Sequence, residues 1–336
     1  MTTFSIRGVN VVAVCQLGKF WLDQAGLIVN RRAGPEPSRA DRGDDGPRET
    51  RGHETREMSR PLGYTGRVGI ITLTTDFGAA DWFAGAMKGV ILGINPRVQI
   101  VTITHEIPAG DIRAGAFALA ASCKFFPKKT IHVAVVDPGV GSQRRALAVQ
   151  TNNYLFVGPD NAVLSFALAG ETVQAAHQLT NPRFFLQPVS QTFHGRDVFA
   201  PVAAHLSKGL PIQKLGPAAK DFLRPDWPGA RISRHAAHGE IIYIDRFGNA
   251  ITNLDDSAMS GLDRLRCEVF VKRQQLCRVR SCYQGVPAGE PVAVLGSSGF
   301  LEIAVNGGSA AEGFGLKIGD EVTVRKRAPQ GYSSSS

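Results

Sequence analysis

The chain has few cysteines and no long apolar run, and both facts limit the class of protein that it can be. Its five cysteines are scattered and include no Cys-x-x-Cys pair, at positions 15, 123, 267, 277 and 282. This pattern argues against a disulfide framework or a zinc site and is typical of a protein in the reducing cytoplasm. No apolar run approaches the roughly 18 residues that a membrane span needs, so we expect no membrane partner.

The chain also lacks the basic run interleaved with aromatic residues that marks many nucleic-acid-binding proteins. Its formal net charge is +9 over 336 residues, but the excess is spread thinly along the sequence. A solvated surface explains such a distribution better than an acidic partner does. We therefore expect no nucleic-acid partner, and an RNA-binding module is the weaker alternative.

The N-terminal part of the chain is poor in apolar residues. Residues 31–60 contain 8 arginines and 7 acidic residues, and their only apolar members are Ala33, Ala40 and Met58. Such a segment cannot bury enough surface to offset its ordering entropy, so we predict that residues 1–65 form a disordered extension. The apolar run at residues 9–14 is too short for a convincing secretory signal. We expect a chain that starts at Met58 to fold and act like the full-length protein.

Apolar patterning from residue 68 onward alternates between strands and helices. The pattern predicts strands at 68–74, 99–104 and 131–136, helices at 81–94, 110–125 and 162–168, and a hairpin around 147–157. This alternation indicates a three-layer α/β domain with a central sheet over residues 66–225. Beyond it, short alternating strands separated by glycine-rich turns predict a smaller antiparallel domain over residues 238–328, a barrel or a sandwich.

A carboxylate and a guanidinium follow one of these strands at close spacing. Asp137 ends the apolar run at 131–136, a glycine-rich turn comes next, and Arg144 lies seven positions later. Ligands bind at the carboxyl edge of open α/β sheets, so the two side chains are placed to share a site. The alternative is an Asp-Pro-Gly turn with solvated charges.

Four other segments place polar residues beside glycine at the ends of predicted elements. Asp76, in Thr-Thr-Asp-Phe-Gly, can accept two hydrogen bonds from a ribose diol. His194, in Phe-His-Gly-Arg-Asp, is either a catalytic group or a loop histidine, and Asp197 after it is a candidate helix N-cap. The turns at 245–249 and 297–300 are, taken alone, ordinary structural turns.

Taken together, the order and spacing of these segments resemble one family. They are TTDFG, DPGVG followed by Arg-Arg, FHGRD, Asp-x-Phe-Gly-Asn and SxGFLEIAVN. The chain is similar over residues 68–326 to the S-adenosyl-L-methionine hydroxide adenosyltransferases, which are relatives of the bacterial fluorinase and chlorinase. The resemblance implies an N-terminal α/β domain, a C-terminal β-barrel domain, and a homotrimer with active sites between neighbouring subunits.

The resemblance also implies an activity and a set of site residues. It implies hydrolysis of S-adenosyl-L-methionine to adenosine and L-methionine, by attack of an activated water on ribose C5′, with no metal and no cofactor. Asp137, Arg144 and His194 match the family's catalytic trio. The implied substrate-binding residues are Asp76, Phe77, Gly195, Asp245, Phe247, Asn249, Ser297, Ser298 and Asn306, with Ser298 standing where the fluorinase has arginine.

Two other functions compete with hydrolysis on the same fold. One is a halide-using adenosyltransferase that makes 5′-halo-5′-deoxyadenosine, and the other is a non-catalytic protein that binds adenosine or S-adenosylmethionine. The Asp137/Arg144 pair and the His-Gly-Arg-Asp segment argue against the first. A pure binder would have no evident use for a water-activating trio.

Overall fold

The computed structural model of the chain describes residues 2–6, 9–13, 69–225 and 229–326. Near the N-terminus, β1 (Thr2–Ile6) and β2 (Val9–Ala13) pair as an antiparallel hairpin. The rest of the predicted disordered extension, including the possible start at Met58, lies outside the described residues. Within the described part of the chain, no helix combines the length and the apolar character needed to cross a membrane.

A six-stranded mixed sheet forms the centre of the first domain. Its order is β4-β3-β5-β7-β6-β8, in which β3, β4, β5 and β7 run parallel while β6 and β8 are antiparallel to their neighbours. The strands are β3 (Ile70–Thr75), β4 (Gln99–Thr104), β5 (Ile131–Val135), β6 (Ala146–Thr151), β7 (Leu155–Pro159) and β8 (Val173–Gln178). β5 is buried at every position, which explains why it appears in the sequence as a continuous apolar run.

Helices cover both faces of this sheet. They are α1 (Phe83–Ile94), α2 (Ile112–Cys123), α3 (Ser165–Ala169) and α4 (Ala200–Ser207). α1 and α4 pack on one face in a core that includes Leu73 and Val133, whereas α2 and α3 pack on the other with Ala134 and Leu147. The predicted three-layer α/β domain is therefore confirmed.

The second domain is an antiparallel sheet that curls almost into a closed barrel. Its main strands run in the order β13-β12-β16-β10-β11-β15-β14, and β9 pairs with β10. A single bridge between Val279 and Ala293 joins the two edges. The strands are β9 (Arg231–Ile232), β10 (Ala236–Ile244), β11 (Ala250–Asp255), β12 (Cys267–Val271), β13 (Gln274–Arg278), β14 (Pro291–Leu295), β15 (Phe300–Val305) and β16 (Glu321–Lys326). Two short helices, α5 (Asp256–Met259) and α6 (Ala310–Phe314), complete it.

Contacts between α2 and β10 hold the barrel against the α/β domain. The Phe117 and Tyr243 rings stack with their centroids 4.8 Å apart. Beside them, the Arg113 guanidinium forms an ion pair with the Glu240 carboxylate. The barrel therefore lies on the α2 side of the sheet in this chain.

Candidate active site

Asp137 and Arg144 form a buried ion pair just beyond the carboxyl end of β5. The Arg144 Nε donates to both carboxylate oxygens of Asp137, at 3.0 and 2.9 Å, and Nη2 donates to Oδ2 as well. The side chains of Arg144 and Asp137 are only 11% and 5% exposed. The sequence left open a turn with solvated charges, and that alternative is wrong because the two charges neutralise each other away from water.

A glycine brings this turn close to the segment that precedes His194. Gly141 has φ +76°, and a Cβ on it would lie 2.3 Å from the carbonyl oxygen of Gln191. Any other residue would therefore push the two loops apart. The close approach places the Arg144 guanidinium beside the imidazole of His194.

His194 accepts a hydrogen bond from Arg144. The Arg144 Nη2 lies 2.8 Å from His194 Nδ1, and a guanidinium can only donate, so the neutral imidazole carries its proton on Nε2. Burial lowers the pKa of His194, the Arg144 charge lowers it further, and Asp137 and Asp197 act in the opposite direction. The site therefore favours a neutral His194 whose free nitrogen is a donor.

His194 directly precedes a π-helical turn, Gly195–Phe199, that continues into α4. Asp197 lies fully buried inside this turn and accepts from the backbone N of Ser190 at 2.9 Å and from Arg196 Nε at 2.6 Å. Burial acts to raise the pKa of Asp197, but the bonds from Arg196 and Ser190 outweigh it and lower the pKa. The predicted N-cap role of Asp197 is wrong, because its carboxylate instead anchors the loop that leads to His194.

Two members of the trio, Asp137 and His194, line a concave pocket of about 380 Å³ at the carboxyl edge of the sheet. Asp76 and Phe77, which follow β3, line this pocket together with Asp137 and His194. The Asp76 Oδ2 accepts from the backbone N of Gly110 at 2.8 Å. A larger cavity of about 670 Å³ lies at the opposite, amino edge of the sheet and is lined by none of the predicted site residues.

Gly195 also lines the pocket. A Cβ at this position would lie 3.2 Å from three atoms, on Met87, Phe77 and Phe193. The absent side chain lets the π-helical turn pack against the aromatic residues of the pocket. The structure thus brings together six of the predicted residues, namely Asp76, Phe77, Asp137, Arg144, His194 and Gly195.

The predicted residues of the β10–β11 turn form a separate group. Asp245 Oδ1 accepts from the backbone N of Phe247 and of Asn249, both at 2.9 Å, and Oδ2 accepts from Asn249 Nδ2 at 3.0 Å. These bonds fix the turn and orient the Asn249 amide. The Phe247 ring is 75% exposed, and none of these three residues lines the pocket that holds Asp137.

Ser297, Ser298 and Asn306 also lie on the barrel and outside that pocket. Ser297 is exposed, and the Asn306 Nδ2 donates to the carbonyl oxygen of Val286 at 2.8 Å. Ser298 lines a different cavity, between α2 and the barrel, where its buried Oγ has no hydrogen-bond partner among the described residues. Within one chain, the structure therefore does not bring the barrel residues to the trio.

Sequence reasoning missed a buried carboxylate on the barrel, that of Glu302. Glu302 is 6% exposed and accepts a hydrogen bond from the Tyr283 hydroxyl, and a Cβ on Gly296 would lie 2.2 Å from its Oε2. Burial raises the pKa of Glu302 and raises that of Tyr283 to about 12, and Asp245 adds to both shifts. A lone acidic residue inside the apolar run at 300–305 was the signal that could have revealed Glu302.

The fold and the site together define a class of two-domain proteins. In this chain a three-layer α/β domain is followed by a nearly closed β-barrel, and an arginine links an aspartate and a histidine at the edge of the first sheet. Residues 71–216 match the model of the SAM hydroxide adenosyltransferase N-terminal domain, and residues 239–323 match the model of the C-terminal domain, where SAM is S-adenosyl-L-methionine. The chain belongs to the SAM hydroxide adenosyltransferase family.

Curated relatives agree with this assignment. An (R)-S-adenosyl-L-methionine hydrolase of Salinispora tropica is 40% identical over 259 residues, which cover 76% of this chain and 97% of the relative. One of Thermus thermophilus is 40% identical over 257 residues, with 74% and 97% covered. A fluorinase of Actinoplanes sp. is 26% identical over 292 residues, with 76% and 97% covered.

The fold also matches solved structures. The crystal structure of an uncharacterized conserved protein from Thermotoga maritima superimposes with a TM-score of 0.72 at 35% sequence identity. The match covers 76% of this chain and 100% of that one. Both described domains therefore belong to the shared fold.

Proposed function

We propose that the protein hydrolyses S-adenosyl-L-methionine to adenosine and L-methionine. The observation that carries the proposal is the hydrogen-bonded chain Asp137–Arg144–His194 at the edge of the pocket. Relatives named (R)-S-adenosyl-L-methionine hydrolase share 33% to 40% of their residues with this chain, whereas the fluorinase of Actinoplanes sp. shares 26%. The trio and the nearer relatives therefore point to water as the nucleophile.

The substrate itself determines what the site must supply. Its sulfonium makes ribose C5′ electrophilic, and methionine leaves as a neutral thioether that needs no proton. No general acid is therefore required. The site must hold one water in line with the C5′–S bond, and such positioning alone can contribute about 7–11 kcal/mol in well-oriented systems.

The trio offers that water both a donor and an acceptor. The Nε2–H of His194 donates to the water oxygen, since Nδ1 is held by Arg144. Asp137 lines the pocket and accepts a hydrogen bond from the water. As the bond to C5′ forms, the attacking oxygen gains positive character and its proton passes to the Asp137 carboxylate. Arg144 holds both partners in place.

Asp76 is assigned to the ribose. It lies on the pocket wall next to the carboxyl end of β5, and a carboxylate can accept from two vicinal hydroxyls at once. The Gly110 backbone bond holds its orientation. In this arrangement the ribose lies between Asp76 and the water-binding trio.

We further propose that the active protein is a homotrimer in which the barrel of one subunit completes the pocket of its neighbour. Among the described residues, the pocket is lined only by the α/β domain, and the barrel displays Phe247 and Ser297 to solvent. Small-molecule sites bury most of the ligand's surface, and a barrel facing this open pocket would enclose the nucleoside and amino-acid ends of the substrate. The proposed remaining contacts are Asp245, Phe247, Asn249, Ser297, Ser298 and Asn306.

The reaction is tested by incubating the full-length protein with S-adenosylmethionine and separating the nucleosides by chromatography. Parallel reactions contain fluoride or chloride. We expect adenosine in every case and no 5′-halo-5′-deoxyadenosine. Halogenated nucleoside would instead establish the halide-using alternative, and unchanged substrate with measurable binding would establish a non-catalytic binder.

The shared site is tested by mixing two inactive variants, His194→Ala in the α/β domain and Phe247→Ala in the barrel. After subunit exchange, random mixing gives about a quarter of the sites two parental halves, so activity returns to about that fraction of the parent. Each variant exchanged with itself is the control. A fully active monomer, or mixed oligomers without activity, would contradict the shared site.

A further inference from the structure

Four aromatic side chains cluster at one wall of the pocket, and the reaction mechanism proposed above uses none of them. The aromatic wall comprises Phe77, Trp82, Phe83 and Phe193. Phe193 lies at its centre, and its ring makes edge-to-face contacts with the other three. The centroid distances are 5.7 Å to Phe77, 5.6 Å to Trp82 and 5.1 Å to Phe83. The Trp82 ring stacks on the Phe83 ring with the centroids 4.5 Å apart.

Phe77, Phe83 and Phe193 line the pocket directly, together with the carboxylates of Asp76 and Asp137. Asp137 is already paired with Arg144, and Asp76 accepts from Gly110 and is assigned to the ribose. The rest of the described lining is uncharged at neutral pH when His194 is neutral. Neither of these two carboxylates is therefore available to compensate a positive charge on a bound ligand.

The proposed substrate brings such a charge into the pocket, on its sulfur. Moving a cation out of water is costly unless the site compensates it, and the face of an aromatic ring does so electrostatically. This protein already pairs cations with aromatic rings nearby. The guanidinium of Arg196 lies 5.2 Å from the Phe193 ring, and that of Arg144 lies 5.4 Å from the Phe199 ring.

We propose that Phe77 and Phe83 of the aromatic wall bind the sulfonium by cation–π contact and select the cationic substrate over neutral thioether analogues. The inference rests on the proposed function and assigns these rings as specificity-determining residues. When water attacks C5′ and the C5′–S bond breaks, the electron pair of that bond stays on the sulfur, which becomes a neutral thioether, and the attraction is lost. The wall therefore strengthens substrate binding and favours release of methionine.

The test compares two ligands that differ in charge at one position. Sinefungin carries a protonated amine where the substrate has its sulfonium, and S-adenosylhomocysteine carries a neutral sulfur. Their dissociation constants are measured by titration calorimetry on the full-length protein, for the parent, Phe83→Leu and Phe77→Leu. Leucine keeps apolar bulk but removes the ring face. Phe184→Leu is the matched control, because Phe184 packs on the same core and does not line the pocket.

We expect the preference for sinefungin over S-adenosylhomocysteine to fall about fivefold to thirtyfold in Phe83→Leu or Phe77→Leu, and to stay unchanged in Phe184→Leu. KM for S-adenosylmethionine should rise more than kcat falls. An equal loss for both ligands would overturn the inference. The inference would also be overturned if Asp81→Asn, at the exposed residue directly before Trp82, abolished the preference while neither ring variant changed it. The counter-charge would then be the Asp81 carboxylate.

These outcomes separate the inference from the proposed function. Adenosine formation by the parent tests the reaction, and the ratio of the dissociation constants of the two ligands tests the aromatic wall. If one ring variant fails to fold, as judged by its melting curve, the other still gives the ratio. A parent that hydrolyses S-adenosylmethionine and a ratio that does not change would refute only the aromatic wall.

Discussion

The Asp137–Arg144 pair allows stability and catalysis to be separated by substitution. Arg144→Met removes the cation and leaves the Asp137 carboxylate, whose side chain is 5% exposed, without a charged partner. Breaking a buried pair from one side costs about 3–5 kcal/mol because the remaining charge is desolvated. For a chain of this size the melting temperature should fall by on the order of 10 °C.

Asp137→Asn combined with Arg144→Met removes both charges. Asparagine is nearly isosteric with aspartate and needs no cation, so the double variant should recover most of the lost melting temperature. It should not recover activity, because both the water acceptor and the group that fixes the His194 tautomer are gone. We expect turnover in each variant to be at least roughly a hundredfold below the parent, which is about 3 kcal/mol of barrier.

The assay pairs scanning fluorimetry with adenosine formation on the same preparations. His205→Gln is a control, since this partly buried histidine is on α4 and outside the pocket. A single variant as stable as the parent would refute the buried pair. A double variant that regains both stability and turnover would refute the catalytic assignment while leaving the structure intact.

Three further predictions concern other groups. Asp76→Ala should weaken the binding of adenosine, measured by calorimetry, and leave the affinity for 2′,3′-dideoxyadenosine unchanged. The reason is that each charge-assisted bond to a ribose hydroxyl is worth about 1.5–3 kcal/mol. Equal effects on the two affinities would reject the ribose role. Burial lowers the pKa of His132, on β5, to about 4 from its usual 6.5. The unfolded chain therefore takes up a proton before the folded one does, and the free energy of unfolding should fall by up to about 3 kcal/mol between pH 6.5 and pH 4. In urea melts the free energy of unfolding of His132→Phe should fall less over that range, and an equal fall in parent and variant would exclude His132 as the cause. Burial raises the pKa of Glu302, so its ionisation opposes folding as the pH rises. Glu302→Gln should therefore raise the melting temperature by a few degrees at pH 8 and by less in acid. A rise in melting temperature that does not depend on pH would contradict this.

The fold was largely predictable because its buried strands leave a strong signal. The strand at Gln99–Thr104 was predicted with the bounds that the structure has, and those predicted at 68–74 and 131–136 differ from β3 and β5 by at most two residues at either end. β8 and β13 were missed because their sequences, VQAAHQ and QQLCR, are too polar to stand out from loops. Their strand conformation depends on pairing with neighbours, which no local pattern reveals.

The site was predictable only in part. Asp76 and Asp137 follow β3 and β5, which are adjacent parallel strands, so strand-end reasoning brings them together without any resemblance. His194 follows a long loop after β8, and nothing local predicts its return to the end of β5. Its pairing with Arg144 depends on the close approach of Gly141 to Gln191, a tertiary contact. The barrel residues stay predictions because one chain does not bring them to the pocket.

The geometry of the trio also bears on the choice between water and halide. A halide ion is an anion that only accepts hydrogen bonds, so a site built for it should offer donors and keep carboxylates away. This pocket instead displays the Asp137 carboxylate beside the imidazole of His194. Water uses both, because it donates to the carboxylate while it accepts from the Nε2–H. A halide has no proton to donate, so it would leave the Asp137 carboxylate without the hydrogen bond that a water supplies. The pair that positions a water therefore also disfavours its main competitor.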